Sequence, residues 1–394
     1  MKKTDYNNLF IPTYKRDGAP LVKGKGVYLY DSDGNKYLDF GTGIAVNALG
    51  HAHPTLIKTV REQGAMLLHG SNLYFTENQI KLAKKLLKSS FGDKIFFCNS
   101  GTEANEAAIK FARKWAKTIS KDKYHILSFY DGFHGRTYGA LSATAQSKFH
   151  EGFEPLVEGF HYAKLNNIEE TKKALKKHDY AAIFVEPIQG EGGVICASKD
   201  FLVFLREYCD KHRIALVFDE IQCGMGRTGT LWSYEQYGVV PDMMTLAKPL
   251  GGGLPIGAVI SKDFITDAIS PGDHGTTFGG NSLACALGCE LLDIVSQKSF
   301  LKDVRRKGEY LTKKLSDLKK KNDLIEGVRG LGLIIGVQLK IDPVKVVSTC
   351  KENGLLLVKA GNHTVRFLPP LIVTKDDIDK AVVIFEKVLK SFQK

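Results

Sequence analysis

The chain has 394 residues, 43% of them hydrophobic and 25% charged, with a formal net charge of +12. That length allows about two or three domains, and the balance of apolar and charged residues excludes a disordered or fibrous chain. The excess lysines fall at helical spacing, as in residues 81–88, which reads as a solvated helix face rather than a nucleic-acid surface. Before about Phe40 the sequence suggests short β segments joined by turns, with Asp and Gly supplying turn chemistry at 30–35. Continuous apolar runs follow at 94–98, 124–129, 181–186, 214–219, 243–247 and 256–261. Such runs suit strands covered on both faces. Helical patterns at 103–117 and 200–212 lie between them, so the middle of the chain is expected to be α/β with a mainly parallel sheet. From about Leu301 a long charged amphipathic helix is expected, then mixed elements with a strand at 333–337 and a last helix capped by Thr374.

No apolar run approaches the ~20 residues needed to span a bilayer. The N-terminal residues lack the apolar stretch of a secretory signal. The seven cysteines show no CxxC spacing, which fits reduced thiols in the cytoplasm. Cys285 and Cys289 lie at helical spacing and read as packing. His51-x-His53 lies in a Pro- and Gly-flanked turn with no clustered Cys or carboxylate, so no metal site is expected.

Three features point to chemistry. Ser100-Gly101-Thr102 follows a strand and opens a helix. Small residues, free N–H groups and hydroxyls could there seat a phosphate, and the same pattern also describes a plain capped helix. Asp219 ends the strand at 214–219, where ligands of open α/β sheets bind. Lys248 ends the next run, beside Gly251-Gly252-Gly253, where lost solvent would lower its pKa and make it nucleophilic. A phosphate seat, a strand-end acid and a strand-end lysine together are the parts of a pyridoxal-phosphate site. Gly224–Gly229 satisfies G-x-G-x-x-G, but no helix opens after it, so no dinucleotide site is expected.

Over nearly its whole length the sequence resembles the class III, ornithine/acetylornithine type, of pyridoxal-phosphate aminotransferases. The motifs are residues 21–26 and 37–40, 99–105, Gly132-Phe133-His134-Gly135-Arg136-Thr137, 186–193, 218–222, Ala247-Lys248, 275–281 and 365–371. The resemblance implies a fold type I transferase: a large cofactor-binding domain over 46–300, and a smaller α+β domain formed by 1–45 and 301–394. It implies pyridoxal phosphate held on Lys248 as a Schiff base, with Lys248 also shuttling the proton. Asp219 would pair with the pyridine nitrogen, Gln222 would lie near the ring's 3-oxygen, and Phe133 would stack on the ring. Ser100, Gly101 and Thr102 would hold the phosphate, joined by Thr277 from the partner of a homodimer.

Arg136 would grip the substrate carboxylate remote from the reacting amine, with Thr276 and Tyr14 nearby. Arg366 would take the second carboxylate of 2-oxoglutarate, and Glu191 would neutralise it when the other substrate is bound. In the ornithine enzymes a tyrosine stands at the position of Ile44, so the resemblance implies a preference for the acetylated amine. The implied reaction moves the terminal amino group between N2-acetylornithine and 2-oxoglutarate, in arginine biosynthesis. Ornithine, succinyldiaminopimelate or another ω-amine remains an alternative substrate, and a non-enzymatic binding protein is the reading from another class.

Overall fold

The structure is a computed structural model that describes residues 6–393. Three short N-terminal strands, β1 (Leu21–Lys25), β2 (Tyr28–Asp31) and β3 (Lys36–Asp39), form an antiparallel meander. Asp31 fixes the turn between β2 and β3 by accepting hydrogen bonds from the backbone N–H groups of Asp33 and Asn35.

The central strands are β4 (Lys94–Cys98), β5 (His125–Phe129), β6 (Phe160–Ala163), β7 (Tyr180–Val185), the ribbon β8 (Ile188–Gln189) and β9 (Ile195–Cys196), then β10 (Ala215–Asp219), β11 (Met243–Leu246) and β12 (Gly257–Ser261). All but β8 and β9 make one seven-stranded sheet in the order β4-β12-β11-β10-β7-β5-β6. All six apolar runs are strands of this sheet. The sheet is mainly parallel, as expected, with one reversal: β12 runs antiparallel to both β11 and β4. The reversal begins in the single 3-10 turn Lys248–Gly251, followed by Gly252 and Gly253 at positive φ. A connection this short cannot carry the crossover that a parallel neighbour needs. The edge strand β6 has a short and partly polar sequence, so it gives no apolar run.

The helix Gly101–Ala116 follows β4 and buries Ala104, Ala107, Ala108, Ile109 and Phe111 against the sheet. The helix Lys199–His212 leads into β10 and is capped by Ser198. Cys285 and Cys289 are buried on the helix Ser282–Val295.

The C-terminal part begins with the 22-residue helix Lys298–Lys319. Then come β13 (Ile325–Leu331), β14 (Ile334–Leu339), β15 (Leu355–Leu356), β16 (Val358–Ala360) and β17 (Thr364–Phe367). The order β13-β14-β17-β16 forms a second sheet, while β15 pairs with β3 and completes the N-terminal one. Thr374 caps the last helix, Lys375–Ser391, through a reciprocal capping box with Asp377.

Candidate active site

A cavity of about 440 Å3 lies beyond the carboxyl ends of β10 and β11. It is lined by Lys248, Asp219, Glu191, Gln222, Phe133 and Arg136, together with Ser100, Gly101 and Thr102. Sequence positions nearly 150 apart therefore meet, because parallel strands deliver their carboxyl ends to one side of the sheet.

Lys248 starts the 3-10 turn after β11 at φ +23°. A non-glycine residue at positive φ is strained, and such strain persists where the surrounding structure holds it. Burial lowers the Lys248 pKa; the Arg366 charge adds to this, while Glu191 and Asp219 oppose it. Asp219 is buried at the end of β10. Its Oδ2 accepts hydrogen bonds of 2.8 Å from Asn105 Nδ2 and from His134 Nδ1, and Oδ1 accepts one from the Ile221 N–H. These bonds fix the carboxylate in one orientation. For His134 burial works against the charged ring, but the bond to Asp219 outweighs it and raises the pKa.

Ser100 caps the helix Gly101–Ala116, its Oγ accepting from the Glu103 N–H. A Cβ on Gly101 would lie 2.8 Å from Ile221 Cδ1, so a larger residue there would displace the Ile221 side chain from the cavity wall. Thr102 Oγ1 accepts hydrogen bonds from the backbone N–H groups of Arg136 and Thr137, tying the segment 132–137 to the helix start. Phe133 packs edge-on against Phe149 at 6.0 Å. The Arg136 guanidinium lies 3.7 Å above the Phe149 ring.

Arg366 is 0% exposed, in the central strand β17 of the second sheet. Its Nη1 donates to Gln222 Oε1 at 2.6 Å, and its Nη2 lies 2.8 Å from Glu191 Oε1. Gln222 Nε2 also donates to Glu191 Oε1, at 3.3 Å. Glu191 sits between β8 and β9. Burial opposes its ionisation, yet the Arg366 and Lys248 charges outweigh burial and hold its carboxyl below the usual range. Gln222 is thus engaged by Arg366 and Glu191, besides lining the cavity.

Five expected site residues do not line this cavity within one chain; one is Arg366, which stands behind Glu191 and Gln222. Thr277 is exposed. Thr276 Oγ1 accepts from Asn99 Nδ2 at 3.0 Å and touches the site only through Asn99. Ile44 is 40% exposed in an irregular turn at φ +64°, and Val46 lines the cavity instead. Tyr14 is 71% exposed, with the Arg16 guanidinium 5.2 Å over its ring.

Sequence reasoning missed His134, Asn105 and Glu186. Glu186 is buried on the cavity wall, where its Oε2 accepts from the Phe133 N–H at 2.9 Å. Burial pushes its carboxyl above the usual range, against the pull of His134. The signal was present: each is a polar residue inside a motif that already carried the resemblance. Gly224–Gly229 is a buried turn whose Arg227 donates to the carbonyl oxygens of Leu333 and Pro369, so it serves packing.

The residues present fit pyridoxal phosphate. A half-buried lysine amine, a hydrogen-bonded buried carboxylate and a helix start with hydroxyls share one cavity of suitable size, and Arg366 Nε has no hydrogen-bond partner among the described residues. Residues 13–389 match the model of the family described as Aminotransferase class-III. The chain is 48% identical over 380 residues to the acetylornithine aminotransferase of Clostridium acetobutylicum, covering 96% of this chain and 98% of that protein. Its structure is similar to the N-acetylornithine aminotransferase of Stenotrophomonas maltophilia K279a (TM-score 0.86, 34% identity, 99% of each chain). It is also similar to the ornithine aminotransferase of Toxoplasma gondii ME49 (TM-score 0.94, 32% identity, 99% of this chain and 94% of that one). The lysine after β11, the buried aspartate ending β10 and the hydroxyl-bearing helix start meet in a chain that belongs to the class III aminotransferase family.

Proposed function

We propose that the protein transfers the terminal amino group between N2-acetyl-L-ornithine and 2-oxoglutarate, giving N-acetyl-L-glutamate 5-semialdehyde and L-glutamate. The observation that carries this reading is the ion pair of buried Arg366 with half-buried Glu191, 2.8 Å apart, in which Glu191 lines the same cavity as Lys248 and Arg136. One substrate of this reaction has two carboxylates and the other has one. A second arginine with its own removable counter-ion suits that alternation.

Pyridoxal phosphate, when bound, supplies the electron sink that lets an amine leave one substrate and join the next. Lys248 is the amine that holds it, and its lowered pKa keeps more of that amine unprotonated and nucleophilic. Asp219, oriented by Asn105 and His134, would pair with the ring nitrogen. Ser100, Gly101 and Thr102 would hold the phosphate, Phe133 would stack on the ring, and Gln222 would lie near the ring's 3-oxygen. The Lys248 amine would also serve as the group that takes and returns the proton at the substrate's reacting carbon. Arg136 binds the distal carboxylate, with Thr276 close by and Tyr14 at the rim. Glu191 pairs with Arg366 during the acetylornithine half-reaction and yields it to the second carboxylate of 2-oxoglutarate.

The working unit in this reading is a cytoplasmic homodimer with shared sites. The segment after the helix Pro54–Gly64 exposes Met66, Leu73 and Phe75, the last 91% exposed. It lies against residues 276–279, since Asn72 Nδ2 donates to the carbonyls of Thr276 and Gly279. A second copy of this chain would cover that apolar surface and bring Thr277 to the neighbouring site. The same reading divides the chain into a large domain at 46–300 and a smaller one from 1–45 and 301–394, supported by the pairing of β15 with β3. Seven free cysteines, six of them buried, accord with a reducing compartment.

Ornithine is the second substrate to weigh, because of the structural similarity to an ornithine aminotransferase. Isoleucine at position 44 offers no partner to ornithine's charged α-amine. Mixing the yellow holoprotein with acetylornithine should bleach its visible absorption, and 2-oxoglutarate should restore it. A colourless protein, or one unresponsive to both compounds, overturns the proposal.

A further inference from the structure

Three imidazoles converge at the other end of the large sheet. His125 opens β5, His161 is the second residue of β6, and His178 lies two residues before β7 begins. Asp219 closes β10, which runs parallel to β7, as β7 does to β5. The histidines are therefore at the amino ends of these strands, roughly 13 Å or more along the strand direction from the cavity end. His161 Nε2 and His125 Nδ1 are 3.0 Å apart. The His161 and His178 rings stack at 4.0 Å, and those of His125 and His178 lie at 4.4 Å. One ligand nitrogen from each residue lies within 4.8 Å of the other two. His125 and His161 are half-buried and His178 is exposed, so the group is open to ions from solution.

Ring packing alone is the ordinary explanation for clustered histidines. It leaves His178 with no role beyond stacking, since the hydrogen bonds of the cluster join His125 to His161 and to the Gly159 backbone. We infer that His125, His161 and His178 form a binding site for a divalent first-row transition ion such as Zn2+, separate from the aminotransferase site. Two ligands come from neighbouring strands whose register is fixed, with Leu127 opposite His161. The third comes from the turn after the helix Ile168–Leu175, where a small shift brings its nitrogen to the ~2.0–2.1 Å bond length of a Zn–imidazole contact.

The ligand chemistry selects the ion. A set of imidazoles with no carboxylate suits Zn2+, Cu2+, Ni2+ or Co2+ and does not suit Mg2+ or Ca2+, which take oxygen. Metal binding requires neutral rings. Burial, and then the neighbouring rings, depress His161 to about 4 and also lower His125, so no proton must leave either at neutral pH. Asp179 lies near His125 and favours a cation there, while Lys177 beside His161 and Arg113 beside His125 oppose one. Three protein ligands leave the fourth tetrahedral position to water. The bound ion would tie the edge strand β6, which has β5 as its one sheet neighbour, to the turn that leads into β7.

The test uses the holoenzyme, stripped with a chelator, freed of unbound cofactor and dialysed against Zn2+ in phosphate-free buffer. Metal analysis should find one Zn2+ per chain, with no uptake of Mg2+. Saturating Zn2+, at a hundredfold excess over its dissociation constant, should raise the melting temperature by roughly 3 °C. His161→Ala and His178→Ala should each weaken Zn2+ binding by at least about tenfold and leave transamination unchanged. His178 is exposed in a turn, so its variant keeps the test valid should His161→Ala fold poorly. Absence of bound Zn2+ in the wild type, or equal binding by wild type and His178→Ala, overturns the inference.

Discussion

Replacing Arg366 by alanine is expected to separate the two half-reactions. The side chain is fully buried, donates to Gln222 at 2.6 Å and lies 2.8 Å from Glu191. Truncating one member of a buried, hydrogen-bonded charge pair removes about 2–5 kcal/mol of binding. Where Arg366 would hold the second carboxylate of 2-oxoglutarate, that loss corresponds to a roughly 30- to 4000-fold slower half-reaction. Acetylornithine has no second carboxylate to lose, so its half-reaction should slow by less than about tenfold. Glu191→Gln should reverse the pattern. It leaves Arg366 as an uncompensated buried charge during the acetylornithine half, and leaves Arg366 available to 2-oxoglutarate. Stopped-flow single turnovers, with each substrate added separately to the matching form of the enzyme, measure both halves, and circular dichroism checks the fold. Equal losses in the two halves for Arg366→Ala would refute the division of labour between Arg366 and Arg136.

Lys248→Ala should abolish turnover without unfolding the protein, and borohydride reduction followed by peptide mapping should find the cofactor on Lys248; a label on another lysine contradicts the assignment. Asp219→Asn should keep some cofactor and lose about 10- to 1000-fold in rate, the range of a 1–3 unit pKa shift at the ring nitrogen. Near-normal turnover in steady-state assays would remove Asp219 from that role. The rate at which apoenzyme takes up cofactor should rise with pH and level off below the usual lysine pKa, because the reactive form is the free amine and Lys248 is shifted down. Arg366→Ala should move that midpoint up and Glu191→Gln should move it down, since Arg366 lowers the Lys248 pKa and Glu191 raises it; unchanged midpoints in both would dissociate Lys248 from the pair. Ile44→Tyr should narrow the preference for acetylornithine over ornithine, and an unaltered ratio of specificity constants would locate selectivity elsewhere.

Much of this architecture was legible because strand ends are legible. The runs at 214–219 and 243–247 are apolar to their last residue, so Asp219 and Lys248 mark where each strand meets the cavity. Ser100 and Thr102 were legible for the same reason, at a strand-to-helix junction. The direction of β12 was not, because its apolar run is the same read either way; the glycines that turn the chain carry that information. His134 and Asn105 escaped notice because their function is to orient Asp219 rather than to meet a ligand, and their hydrogen bonds span 85 and 114 residues of sequence. Thr276, Thr277, Ile44 and Tyr14 were chosen for roles that one chain does not display. Their place in a site depends on what covers the exposed surfaces on which three of them lie. The histidine cluster is illegible for a simpler reason: residues 36 apart become neighbours only once β5 and β6 pair in register.

The most direct test of the central claim is the set of specificity constants for acetylornithine, ornithine, succinyldiaminopimelate and 4-aminobutyrate, each with 2-oxoglutarate as acceptor. Acetylornithine should exceed ornithine by at least about tenfold, equivalent to roughly 1.4 kcal/mol of transition-state binding. Ornithine used as well as acetylornithine, or another of these amines preferred to both, would contradict the substrate while leaving the aminotransferase chemistry in place. No turnover with any of the four would contradict both.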